Sequence, residues 1–209
     1  MNVGILGAGN MTTALGRRFI AKGHTLLISF SRSADKLEKT ARDLGGGTRV
    51  GSPADAAAFG DVVLLSTGWD GAPQALKAAG ALDEKVIWSI VTPLKTDLSG
   101  LSVGTTTSGS EELAKLVPRA AFVAAWPPFA EVLASSSTRF GAERQTLFYC
   151  GDAAAPKRVV KPLFESLDVD AVDAGPLSSA RFVEPAMFLL VHLAYAQKMG
   201  QVATRLLHR

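Results

Sequence analysis

The feature that most constrains this chain is an apolar run, residues 3–6, that opens directly into Gly7-Ala8-Gly9-Asn10-Met11-Thr12 and then into apolar residues at helical spacing, Met11, Ala14, Leu15 and Phe19. A strand, a glycine turn and a helix in that order form the first half of a βαβ unit. Gly7 permits the tight turn, Gly9 lets the backbone come close to a pyrophosphate, and the amides that open the helix receive negative charge. The series is G-x-G-x-x-G with threonine at its last position, so Thr12 is expected to loosen the helix against the strand slightly.

The pattern continues. Apolar runs at 24–28, 48–50, 61–66, 85–90, 120–125, 146–150 and 169–172 alternate with helical patterns at 33–43, 72–79 and 156–167. Such alternation predicts an α/β fold, a doubly wound and mostly parallel Rossmann sheet. Residues 184–207 read as one long helix with Pro185 in its first turn. Because 186–191 are apolar on every face, that helix must be buried all round, and a second subunit is favoured as its cover. The expected organisation is a dinucleotide-binding domain over 1–177 and a helical appendage over 178–209.

The end of the second strand selects the cofactor. A carboxylate there would bond a ribose 2′-hydroxyl, whereas this chain has Phe30-Ser31-Arg32-Ser33 with Lys36 one turn later. A hydroxyl, a guanidinium and an ammonium suit the 2′-phosphate of NADP(H). The next strand ends read Ser66-Thr67-Gly68-Trp69-Asp70-Gly71 and Val91-Thr92-Pro93, small enough for a ribose and a nicotinamide to approach. After the sixth strand comes Trp126-Pro127-Pro128-Phe129-Ala130, a rigid and flat apolar surface suited to a planar redox partner.

No acid–base apparatus is legible. Tyr195 and Lys198 stand three apart on the C-terminal helix, away from the nicotinamide strands, and the three histidines have no carboxylate partner readable from sequence. No metal cluster is expected. A direct hydride exchange between two planar cofactors needs less than carbonyl reduction does, so cofactor-to-cofactor transfer is favoured. A net charge of +3 without a basic tract argues against nucleic acid, and one cysteine, Cys150, fits a reducing compartment. With no leader pattern, and with apolar stretches short of the ~20 residues that cross a bilayer, the expectation is a cytoplasmic protein without a membrane partner.

The same residues resemble a known family, the NADPH-dependent reductases of the deazaflavin coenzyme F420. The resemblance rests on Gly7-Ala8-Gly9-Asn10-Met11, on Ser31-Arg32 with Lys36, on Trp69, on Cys150-Gly151-Asp152, and on Asp173-Ala174-Gly175-Pro176-Leu177-Ser178-Ser179-Ala180-Arg181 followed by Val183-Glu184. It implies that Gly7 and Ala8 to Met11 hold the pyrophosphate, that Ser31, Arg32 and Lys36 hold the 2′-phosphate, and that Thr67, Gly71, Thr92 and Ala130 line the rest of the NADP site. It implies a homodimer as well. Where the deazaflavin reductases carry a histidine after the sixth strand, this chain has Trp126, with Pro128 and Phe129 also different. Trp126, Pro128 and Phe129 are therefore the expected contacts to the acceptor, a deazaflavin, a flavin or another small redox substrate. Two alternatives stand beside this reading: an imine reductase of the pyrroline-carboxylate type, and an NADP(H)-sensing protein without turnover.

Overall fold

The computed structural model describes residues 1–31 and 33–209. Its sheet has eight strands: β1 (Asn2–Leu6), β2 (Thr25–Ser29), β3 (Arg49–Val50), β4 (Val62–Leu65), β5 (Val86–Ser89), β6 (Ala121–Ala125), β7 (Thr146–Cys150) and β8 (Asp170–Asp173). Their spatial order is β3-β2-β1-β4-β5-β6-β7-β8. All neighbours run parallel except β6 and β7, so the fold is the doubly wound, mostly parallel sheet expected from the alternation.

Period-two side chains feed two cores. Val3, Ile5, Val62, Leu64 and Trp88 face one side, where α1 (Asn10–Ala21), α2 (Ala34–Leu44) and α7 (Ala154–Glu165) supply Leu15, Phe19, Ala41, Leu163 and Phe164. Leu6, Val63, Leu65 and Ile87 face the other, against α3 (Pro53–Phe59), α4 (Ala72–Ala79), α5 (Gly109–Lys115) and α8 (Ala180–Val191). Trp88 is fully buried; its indole N–H donates to the Ala125 carbonyl at 3.0 Å, and its ring meets Phe164 edge-on at 5.0 Å.

Three short helices add to the sequence reading: α3, α5 and α6 (Ala130–Ala134). The first carries a reciprocal cap, in which Ser52 Oγ accepts from the Asp55 amide and the Asp55 carboxylate accepts from the Ser52 amide.

The C-terminal segment departs most from expectation. Helix continues from Leu177 to Ala196, its last five residues in π geometry, and stops there rather than near residue 207. The chain turns at Lys198 (φ 56°) and Gly200 (φ 76°), and the tail then lies along β7, where the Thr146 amide donates to the Thr204 carbonyl at 2.8 Å. Because the helix starts earlier, Pro185 lies inside α8 and not in its first turn. Nor is the helix buried all round: Ala180, Val183 and Glu184 are covered, whereas Phe182 is 77% and Leu189 54% exposed. At 20 residues and mean hydropathy 1.2, Leu177–Ala196 also reaches the length and composition of a bilayer span, which the shorter apolar stretch had not suggested. One side of it is fixed to the domain by a buried carboxylate: Glu184 accepts from the amides of Gly109 and Ser110 at 2.8 and 2.9 Å and from the Ser110 hydroxyl at 2.8 Å.

Candidate dinucleotide crevice and acceptor pocket

β1 delivers Gly7 into a turn with φ 137°, and a Cβ there would stand 2.0 Å from the Ser66 carbonyl oxygen. Only glycine fits where the loop crosses the end of β4. Gly9 is the N-cap of α1 and has nothing within 4 Å of where its Cβ would project. The first turn of α1 carries no acidic residue, and no side chain caps it. A 12-residue helix thus begins with no carboxylate and no side-chain cap at its first turn and with room beside Gly9, which suits a pyrophosphate.

Thr12 tightens this junction and does not loosen it. It is fully buried, and its hydroxyl donates to Ser66 Oγ at 3.0 Å, so a side-chain bond ties α1 to the end of β4 where a glycine would leave only van der Waals contact.

Beside the glycine turn, Phe30 follows the last residue of β2 and holds φ 58°. A non-glycine residue there costs about 1–3 kcal/mol, and such strain gathers where a ligand must be met. The consequence is local: Ser31 Oγ accepts from the Ser33 amide at 3.2 Å, Ser33 caps α2, and the exposed Lys36 stands in its first turn. Arg32 lies outside the described residues. Across the crevice, the Phe30 ring approaches Gly71, where a Cβ would sit 3.8 Å from both that ring and Thr67 Cβ. Thr67 Oγ1 is buried without a hydrogen-bond partner, as is Trp126 Nε1. Buried polar atoms are nearly always paired, so an orphan at the end of β4, beside an open helix N-terminus, fits a ligand hydroxyl or phosphate.

The second half of the site is a cavity of about 350 Å³ that begins where the first half stops. Asn10 and Met11 of α1 and Thr92 after β5 form its inner wall; Trp126, Pro127, Pro128, Phe129 and Ala130 after β6 form a second. Met187, Leu190, Val191 and Tyr195 of the C-terminal helix, with Val202 and Thr204 of the tail, close it. Arg18 of α1 braces the second wall, donating to the carbonyls of Leu133 and Ser135 at 2.9 and 2.7 Å at the end of α6.

Thus Asn10, Met11, Thr92, Trp126, Pro128, Phe129 and Ala130 share one cavity, and Thr67 and Gly71 sit with Phe30 on the other side of the glycine turn. The sequence reading missed Phe30, Glu131, Tyr195 and the tail. Tyr195 does not lie away from the nicotinamide strands. It lines the cavity with Thr92 and Trp126, its hydroxyl 3.3 and 3.4 Å from the Glu131 carboxylate oxygens and its ring 5.9 Å from that of Phe129. Burial first, and then the Glu131 charge, push the phenol above its ordinary pKa. The π turn at the end of the helix is what delivers it, and no spacing rule anticipates that turn.

With this geometry, residues 2–93 match the family described as "NADP oxidoreductase coenzyme F420-dependent". Over 99% of both chains, the protein resembles one from Arthrobacter sp. FB24 named as a candidate F420-dependent NADP-reductase, at a TM-score of 0.86 and 23% identity. A hypothetical protein from Sinorhizobium meliloti matches 99% of this chain over 93% of its own, at 0.78 and 23%. A reductive aminase from Aspergillus terreus, in complex with NADPH and ethyl-5-oxohexanoate, matches 94% of this chain with 62% of its own length, at 0.68 and 20%. At these identities the likeness to solved structures establishes a common Rossmann fold. The family that residues 2–93 match is one of NADP oxidoreductases.

Proposed function

We propose that this chain is an NADP(H)-dependent oxidoreductase that exchanges hydride between the nicotinamide and a planar acceptor of the deazaflavin or flavin type. The observation that carries this reading is continuity: the apolar cavity walled by Trp126 to Phe129 opens on Asn10, Met11 and Thr92, at the mouth of the glycine turn. When bound, NADPH supplies the hydride. The chain's own residues would do the rest. Gly7, Ala8, Gly9, Asn10 and Met11 would hold the pyrophosphate on the α1 amides, and Ser31, Arg32 and Lys36 the 2′-phosphate. Thr67, Gly71, Thr92 and Ala130 would seat the remainder. Trp126, Pro128 and Phe129 would lay the acceptor ring flat and keep water out.

The test is NADPH oxidation by the purified chain with a deazaflavin, with riboflavin and with FMN, followed by nicotinamide absorbance. Turnover with at least one ring is expected; tight NADPH binding without turnover on any acceptor would leave a binding protein and end the enzyme reading. Arg32→Ala should weaken NADPH binding by about 1–3 kcal/mol, the range for a lost charge-assisted contact, and leave NADH nearly unaffected.

One observation favours a second reading, imine reduction. Glu131 and Tyr195 put a carboxylate and a phenol on the cavity wall, and a protonated imine brings its own proton and needs only such a counter-charge. Amine formation from a cyclic imine, absent with flavins, would decide for it. We also infer a homodimer in which 178–209 serve as appendage and contact, which the resemblance and the exposed Phe182 and Leu189 support, and a reducing, cytoplasmic compartment, which the single Cys150 fits.

A further inference from the structure

We infer that Glu131, beside Tyr195 on the wall of the acceptor cavity, selects acceptors by charge, favouring planar acceptors that are neutral or cationic over those that carry an anionic group. This rests on the reading of the cavity as the acceptor site. Among the described residues that line it, Glu131 alone carries a formal charge; the others are apolar or neutral polar. Both carboxylate oxygens face the Tyr195 hydroxyl, at 3.3 and 3.4 Å, and the Tyr195 ring in turn packs on Phe129 at 5.9 Å and 63°. The carboxylate therefore stands beside the aromatic wall, within reach of the phenol.

Among the described residues, no cation of the surrounding elements lines the cavity. Arg18 is bonded to the Leu133 and Ser135 carbonyls. Lys95, on the loop that contributes Leu94 and Leu98, lies over Gly100 and does not line the cavity. Arg144 pairs with Asp168 and Asp170, and Arg205 of the tail with Glu143. An anionic group entering past Glu131 would meet a like charge within a Debye length, about 8 Å at physiological ionic strength, with no compensating cation on the wall. A cationic or electron-poor ring would gain from the carboxylate and from the faces of Trp126, Phe129 and Tyr195. A wall of this kind discriminates by repulsion as much as by attraction.

Riboflavin and FMN test this because they share one ring and differ by a phosphate. Their dissociation constants from the NADP⁺-saturated chain, read by flavin fluorescence at low salt, should favour riboflavin by about 3- to 10-fold, as expected for like charges near a protein surface. Glu131→Gln should remove most of that ratio, Glu131→Lys should reverse it, and added salt should shrink it in the wild type. An identical ratio in wild type and Glu131→Gln, or one indifferent to salt, overturns the inference. NADPH oxidation in the same samples separates the two levels: turnover of both flavins with an unchanged ratio keeps the proposed function and removes the charge selection. Failure of both flavins to bind overturns the charge selection, and the proposed function falls with it only if a deazaflavin is not turned over either.

Discussion

At the scale of single residues, Gly7 and Gly9 divide structure from binding. Gly7→Ala would combine φ 137° with an overlap on the Ser66 carbonyl, so a loss of about 3 kcal/mol or more in stability is expected by chemical denaturation. At Gly9, φ is −90° and nothing lies within 4 Å of the projected Cβ. Gly9→Ala should therefore melt like the wild type while its NADPH affinity falls by about 1–3 kcal/mol, the cost of a lost close approach; unchanged affinity would take Gly9 out of the pyrophosphate site. Cys150 makes a different expectation. It is fully buried, and burial first, then the Glu184 charge, push its thiol up to about 12. The native protein should resist iodoacetamide at neutral pH and react only on unfolding, a labelling rate that mass spectrometry reads directly. The two glycines were legible in the sequence because they stand as G-x-G between a strand and a helix, but only Gly7 meets a backbone demand that no other residue could. Phe30 and Glu131 were not, since a positive φ at a phenylalanine and the tertiary approach of Tyr195 leave no local pattern.

Among elements, the contact between α8 and α5 shows what periodicity can and cannot reveal. The strands were legible because two-sided burial makes continuous apolar runs, and α1, α2, α4 and α7 because their apolar residues recur at helical spacing. Helices α5 and α6, of seven and five residues, are too short for a period to emerge, and the tail after Ala196 carries apolar residues that line a cavity and not a helix face. Glu184, in the middle of an apolar helix, is the signal that could have placed α8, because a carboxylate there must find donors. It finds them at the N-terminus of α5, and Arg181 pairs with Glu111 alongside it. Burial raises the Glu184 pKa, while its bonds from Ser110 and Gly109 pull it back part of the way. For an acid whose folded pKa is raised, the native state holds the proton more tightly, so stability falls as pH rises from the unfolded value, about 4.5, through the folded one. Melting temperature followed from pH 4 to 8 should show that decline in the wild type and lack it in Glu184→Gln. Parallel curves would mean that the three hydrogen bonds cancel the burial. Glu184→Ala should cost about 1–3 kcal/mol throughout, because the Gly109 and Ser110 donors are left buried and unpaired.

For the molecule as a whole, the acceptor cavity draws on α1, the ends of β5 and β6, the C-terminal helix and the tail, segments that no sequence window joins. The helix is the piece that links this cavity to the outside. Ala180, Val183 and Glu184 face the domain, and Met187, Leu190 and Val191 continue the same stripe onto the cavity wall. Phe182 and Leu189, seven apart and so on one face, point away from both, 77% and 54% exposed. Two large apolar side chains left in water on a helix that also walls a binding site are the mark of an interface, and a two-fold axis would pair that face with its own copy. The proposed homodimer then has a consequence for activity, because shifting the helix shifts Tyr195 and with it Glu131. Sedimentation of the wild type should give a dimer at micromolar concentration and Phe182→Asp with Leu189→Asp a monomer. If the double variant keeps its fold by circular dichroism, its affinity for NADPH should persist, since Phe182 and Leu189 do not line the cavity beside the α1 amides. Its discrimination between riboflavin and FMN should weaken, since the carboxylate loses the phenol beside it. A wild type that sediments as a monomer would end the dimer reading, and a dimeric double variant would move the interface to another face.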